Sequence, residues 1–239
     1  MELNITEHIK EVRNVKPVIA IVGDIHGEFS KLNSFMNKYK EIDILIQAGD
    51  NAYYWSEVIG EKEIKPKQTK VYLVPGNHEN FNFIEERVGR HGKTPVEIEP
   101  NIFYCPIGST LDINGTVVMF IGGADSIDKR YRVPNLSWWA QETLTDEDYD
   151  YIVSSVEKVD IIVSHTCPNY FDVKERMYQD EGYDPTRYIL DKIYNKYKPA
   201  YWFFGHWHRF MHNKYENTEW CILNTVGYKN WYRFCSINS

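Results

Sequence analysis

The chain has no pair of cysteines separated by just two residues. Its four, Cys105, Cys167, Cys221 and Cys235, are spread singly over 239 residues. That excludes C-x-x-C zinc and dithiol motifs and reads as buried free thiols of a reducing compartment. An excess of positive charge is also missing: 27 Lys and Arg stand against 34 Asp and Glu, for a net charge of −7. A face that coats long nucleic acid is therefore not expected, although a nucleotide held through metal ions is compatible. No run approaches 18 apolar residues. The opening MELNITEHIKEVRNVK scatters charges where a signal peptide needs an apolar core. Neither a membrane span nor a secretory signal is expected, which points to the cytoplasm. Internal repeats, low-complexity tracts and recognisable linkers are absent too, so a single domain over 1–239 is expected.

What the chain does have is a series of short, β-branched apolar runs, each ending in a small or polar cluster. They are PVIAIVGDIHG (17–27), IDILIQAGDN (42–51), KVYLVPGNHE (70–79), TVVMFIGGAD (116–125), VDIIVSHTCP (159–168) and AYWFFGHWH (200–208). Near-continuous apolar runs of this length predict strands buried on both faces. A further strand region is expected in TEWCILNTVGY. IFYCPIG (102–108) and TVVMFIGG are expected to form a hairpin around Asn114-Gly115. Helical spacing of Phe29, Leu32, Phe35 and Met36 predicts a helix over 27–39. Thr145 and Asp148 form a capping-box pattern, and Asp184-Pro185 reads as N-cap and first residue of a helix through Tyr194. The polar stretch 57–70 reads as an exposed insertion. Alternating strands and helices predict an α/β fold with a parallel or mixed sheet.

In such sheets ligands bind beyond the carboxyl ends of the strands. The residues there are Asp24 and His26, Asp50, Asn77 and His78, His165, and His206 and His208. Taken singly, each is a common residue in a common place. Jointly they are oxygen and nitrogen donors suited to Mn, Fe or Zn, gathered at one end of a sheet. Gly23, Gly49, Gly76 and Gly205 precede them, and are expected to allow the sharp exit from each strand.

The ordered series GDIHG, GD, GNHE, SH and GHWH, spanning residues 23–208, resembles the calcineurin-like metallophosphoesterase superfamily. The resemblance implies a two-sheet α/β sandwich flanked by helices, and two divalent cations, with Mn the first choice and Fe, Zn or Ni alternatives. Asp24, His26, Asp50 and His208 would hold one; Asp50, Asn77, His165 and His206 would hold the other, with Asp50 shared. A water between two such cations ionises readily, and the resulting hydroxide would attack phosphorus. His78 would face the leaving group as an imidazolium acid, and Asn77 would also orient a phosphoryl oxygen. Two Asp ligands leave this centre cationic, which reconciles an acidic chain with an anionic substrate.

The sequence also departs from the protein phosphatases of that superfamily. GDNAYYW stands where they have GDxVDRG, GNHENF where they have GNHExR, and SHTCP replaces HGG. The expected substrate is therefore a phosphomonoester or phosphodiester of a small molecule or nucleotide. A protein Ser/Thr phosphatase and a non-catalytic protein-binding scaffold are the alternatives. Candidate substrate contacts are Asn51, Tyr54, Arg130 and Arg132. The aromatic run 53–55 reads either as a wall for a stacked base or as a cap on the core or a partner. Trp138 and Trp139 are expected in the core, and Cys167 in a packing role.

Overall fold

The computed structural model describes residues 16–52, 63–173 and 184–235. In chain order its strands are β1 (Ile19–Val22), β2 (Ile44–Gln47), β3 (Lys70–Leu73), β4 (Val96–Glu99), β5 (Ile102–Tyr104), β6 (Thr110–Ile113), β7 (Thr116–Ile121), β8 (Ile161–Ser164), β9 (Tyr201–Phe204), β10 (Met211–Tyr215), β11 (Thr218–Ile222) and β12 (Tyr232–Cys235). The helices are α1 (Phe29–Lys38), α2 (Phe81–Val88), α3 (Asp146–Ser155) and α4 (Pro185–Tyr197).

Two six-stranded sheets result, ordered β12-β1-β2-β3-β5-β4 and β10-β11-β9-β8-β7-β6. Parallel strands fill the middle of each, and antiparallel strands close both edges. Period-two alternation sorts the side chains. Ile19, Ile21, Ile46, Tyr72, Phe120, Val163 and Phe203 meet between the sheets. Ala20, Val22, Leu45, Val71 and Leu73 turn outward onto Phe29, Leu32, Phe35 and Met36 of α1. Met119, Ile162, Trp202 and Phe204 turn outward onto Ile152 of α3 and Ile189, Leu190 and Ile193 of α4. Both faces of each central strand are thus apolar, which is why these strands read as unbroken hydrophobic runs. Each fully buried Leu, Ile or Phe stabilises the sandwich by roughly 1.5–3 kcal/mol.

The local signals have visible causes. Thr145 accepts from the Asp148 backbone N–H while Asp148 accepts from the Thr145 N–H, closing a reciprocal cap on α3. Asp184 accepts from the Arg187 N–H, and Pro185 opens α4, which runs on to Tyr197. Asn114 and Gly115, at φ 53° and 85°, form the tight turn between β6 and β7.

The hairpin differs from expectation in its first strand. β7 pairs with Thr110–Ile113, while Ile102–Tyr104 lies in the other sheet, parallel to β3. The chain crosses between the sheets at Cys105-Pro106, so the run is continuous in sequence but split in space. Trp139 is in the core, in extended backbone before a short 3-10 turn, whereas Trp138, also expected there, is only half-buried. Of the 57–70 stretch, 57–62 lies outside the described residues; Ile64 and Thr69 are buried, so the rest is not a purely exposed insertion. All four cysteines are free, and Cys105, Cys167 and Cys221 are buried. Among the described residues no helix is long and apolar enough to cross a membrane.

Candidate metal centre

The loops leaving β1, β2, β3, β8 and β9 meet at one end of the sandwich. Asp24, His26, Asp50 and His208 bring one donor atom each within 4.8 Å of one another. The Nε2 atoms of His26 and His208 are 3.1 Å apart. His208 Nε2 is 3.0 Å from Asp24 Oδ2, and His26 Nε2 is 3.7 Å from Asp24 Oδ2 and 3.8 Å from Asp50 Oδ2. Beside this group, Asn77 Oδ1 lies 3.0 Å from His165 Nε2 and 3.1 Å from His206 Nδ1. Asp50 Oδ1 is 3.4 Å from His165 Nε2, so Asp50 touches both groups.

The first group opens to solvent, its His26 and His208 side chains 32% and 55% exposed, while Asp24, Asp50 and His165 are buried.

Three observations fit this donor set to cations. Asp24 Oδ2 is buried, makes no hydrogen bond of good geometry and has the His208 imidazole against it at 3.0 Å, an arrangement a cation resolves. His165 Nδ1 lies 2.8 Å from the Ala48 carbonyl; donation there leaves Nε2 as the ligating nitrogen, the usual anchoring of a metal-bound imidazole. The charges are also unbalanced. Burial opposes it, yet the Asp50 carboxylate pulls His165 up to about 9. Against its own burial, Asp50 is held well below the usual carboxylate range by His165, His78 and His26. Burial and the charge of His165 push His206 down to about 3. A proton on His165 therefore supplies positive charge that a divalent ion would supply instead.

The backbone is bent to serve this geometry. His26, Asp50, His206 and His208 all have positive φ, from 42° to 67°. Left-handed non-glycine residues cost of order 1–3 kcal/mol each and persist where function or packing holds them. Among the four preceding glycines only Gly49 needs a positive φ, 96°. The expected reason, a sharp exit, is corrected for the others: a Cβ on Gly76 would collide with Asp50, on Gly205 with Asp24, and on Gly23 with the Asn224 carbonyl. Close approach is what these positions require.

The candidate substrate contacts fare differently. Tyr54, with the rest of the 53–55 run, lies outside the described residues. Asn51 is fully buried, its amide donating to the Val74 carbonyl and its N–H to Glu79 Oε1 at 2.7 Å, so it braces the loop instead of facing a ligand. Arg130 is exposed and lies over the Tyr131 ring, 4.6 Å away, not over the centre. Arg132 is at the centre: its Nη2 is 2.9 Å from His78 Nε2 and 2.8 Å from Asp128 Oδ1. A guanidinium only donates. His78 Nε2 is therefore the acceptor in this contact. Burial lowers its pKa, Asp50 opposes this, and Arg132 lowers it further.

Sequence reasoning missed three supports. Gln47 is buried and donates to the Gly23 carbonyl at 3.2 Å and to the Gly49 carbonyl, tying the two Asp-bearing loops together. Glu79 is buried, pushed up to about 8 by burial and Asp50, and bonded to the Asn51 and Ala52 N–H groups. Ser126 receives the Asn77 amide at 2.9 Å. Only the Glu of GNHE was visible as a motif letter; a buried Gln ending an apolar run was the other available signal.

A calcineurin-like phosphoesterase family model matches residues 17–210. The chain belongs to the calcineurin-like phosphoesterase family. The family is one of metal-dependent phosphoesterases, and the activity that goes with it is phosphoric ester hydrolysis. One solved crystal structure aligns at TM-score 0.56 and 14% identity, covering 92% of this chain and 95% of that one. A candidate 5′-nucleotidase from Staphylococcus aureus, solved with α-ketoglutarate, aligns at TM-score 0.51 and 12% identity, over 88% of this chain and 49% of that one. A phosphopantetheinyl hydrolase from Mycobacterium tuberculosis aligns at 0.47 and 14%, over 93% and 97%. At these identities the likeness concerns the fold alone. No curated protein matches the sequence.

Proposed function

We propose that the chain is a binuclear metal phosphoesterase acting on a phosphomonoester or phosphodiester of a small molecule or nucleotide. The observation that carries this reading is the convergence of seven donor side chains from five loops on two adjoining groups that share Asp50. Asp24, His26, Asp50 and His208 would hold one divalent cation, and Asp50, Asn77, His165 and His206 the other. Bound there, two such ions would lower the pKa of water and offset phosphoryl charge. Mn is the first ion to assay, with Fe, Zn and Ni as alternatives.

The chain's own residues do the rest. Arg132 presents a guanidinium fork beside the centre, in a loop far in sequence from the phosphatase arginines it lacks, and would grip non-bridging phosphoryl oxygens. An incoming phosphate competes with His78 for that guanidinium. Released from Arg132 and facing an anion, the His78 ring gains basicity, takes up a proton at Nε2 and passes it to the leaving oxygen. Asp50 Oδ1 accepts from the His78 N–H at 2.9 Å, which fixes the start of this segment. The neutral ring is thus the resting form, and the acid role belongs to the complex with substrate.

The test is a panel with Mn²⁺: p-nitrophenyl phosphate, its bis ester, cyclic nucleotides, nucleoside diphosphate derivatives and a phosphopeptide. Hydrolysis of small esters with a poor response to the phosphopeptide is expected. Turnover of the phosphopeptide alone would favour a protein phosphatase. No hydrolysis across a metal panel would favour a scaffold.

A further inference from the structure

An asparagine amide is nearly symmetric in shape, so something must decide which end faces a cation. Asn77 contributes to the centre through Oδ1, 3.0 Å from His165 Nε2 and 3.1 Å from His206 Nδ1. Turned over, the same side chain would aim two N–H donors at the cation and repel it. We propose that Ser126, seated by Glu142, is the positioning residue that fixes the Asn77 amide with its oxygen toward the metal. The inference rests on the binuclear reading and concerns residues outside the seven donors.

The geometry runs in one direction. Asn77 Nδ2 donates to Ser126 Oγ at 2.9 Å, which turns the nitrogen end away from the donor group. Ser126 is itself held: its backbone N–H donates to Glu142 Oε1 at 2.8 Å. The Asn77 amide donates to the Ser126 hydroxyl oxygen, so a lone pair of that hydroxyl points to Asn77. Asn77, Ser126 and Glu142 are all buried, at 4%, 1% and 0% exposure, so water does not replace any of these partners. The two loops are also tied at the backbone, where the Gly123 N–H donates to the Pro75 carbonyl at 2.9 Å. Gly123, at φ 91°, lies so close to the Glu142 carbonyl that any Cβ would collide with it. The loop after β7 thus supplies no metal donor but sets the orientation of one. Outer partners of this kind typically contribute about 10–100-fold to metal affinity.

The test is calorimetric Mn²⁺ titration of the purified chain, run as a cycle with and without an amide at position 77. Ser126→Ala is expected to weaken one of two binding steps by about 10–100-fold. Asn77→Asp presents oxygen at both ends and needs no orienting, so Ser126→Ala in that background is expected to change affinity little. A merely structural role for Ser126 predicts the same loss in both backgrounds, and that result, or no loss in either, overturns the inference. Glu142→Gln keeps an oxygen for the Ser126 N–H and is expected to stay within a few-fold of wild type. Should Ser126→Ala not fold, Glu142→Ala unseats Ser126 and is expected to show the same dependence on the amide. Failure of the wild-type chain to bind Mn²⁺ would instead overturn the binuclear reading and this inference with it.

Discussion

At the scale of single residues, the proposed mechanism rests on Arg132 and His78. In that proposal burial and Arg132, whose Nη2 is 2.9 Å from the ring, keep His78 neutral until an anion draws the guanidinium away. His78→Ala should keep metal bound and lower turnover by about 10²–10⁴-fold, least for good leaving groups such as p-nitrophenolate. Equal losses for alkyl and p-nitrophenyl esters would argue against the proton-donor role. Arg132→Ala should act mainly on KM, raising it about tenfold or more, with Arg132→Lys restoring only part because an ammonium lacks the planar fork. Steady-state kinetics on one ester separates these outcomes. Gly205→Ala should be severe although the position needs no unusual φ: its Cβ would collide with Asp24 Oδ1. Metal uptake should drop at least tenfold, read by calorimetry, since a misplaced ligand typically costs that much.

At the scale of elements, legibility followed burial. The six apolar runs became strands because both faces of each are covered, one by the partner sheet and one by a helix. β4, with the pattern VEIE, and β10, with MHNKY, are largely exposed edge strands and carry no such run. β12 is an edge of the same kind, paired antiparallel to β1. α2 was hidden because its start, Asn80, directly follows the GNHE loop, where Asn80 Oδ1 accepts from the Phe83 N–H at 3.2 Å. The seven donors were legible because each follows a strand closely. Their orienting partners were not, since the Ser126–Asn77 contact joins positions 49 apart that no local pattern links. Thr145→Ala tests the best-defined cap: loss of the reciprocal bonds at α3 should cost about 1 kcal/mol of stability by denaturant titration, without altering metal affinity.

At the scale of the molecule, three buried acids shape the response to pH, and one of them is Glu79, pushed up to about 8 by burial and Asp50. Burial pushes Glu142 up to about 7 from an ordinary 4.5. A raised carboxyl is unpenalised below the unfolded value, so the metal-free protein should lose stability as pH rises from about 4.5 through about 7, by at most about 3 kcal/mol. Glu142→Gln should make that decline shallower and leave the part that Glu79 adds. Burial works against ionisation of Asp148, yet Arg90 at 2.7 Å and His91 at 2.7 Å hold its carboxyl below the ordinary 3.8. Its contribution is present above 3.8 and lost as pH falls through the lower folded value, a limb that Glu142→Gln should leave in place. Thermal unfolding across pH reads both. The wider account is that two sheets, each with parallel strands at its middle, deliver their strand ends to one pole, where Asp50 joins two donor groups. Its most direct test is anomalous diffraction from crystals grown with Mn²⁺. The account predicts two peaks roughly 3.5–4 Å apart, one bonded to Asp24, His26, Asp50 and His208 and the other to Asp50, Asn77, His165 and His206. A single peak, or peaks that leave His165 and His206 unligated, would contradict it.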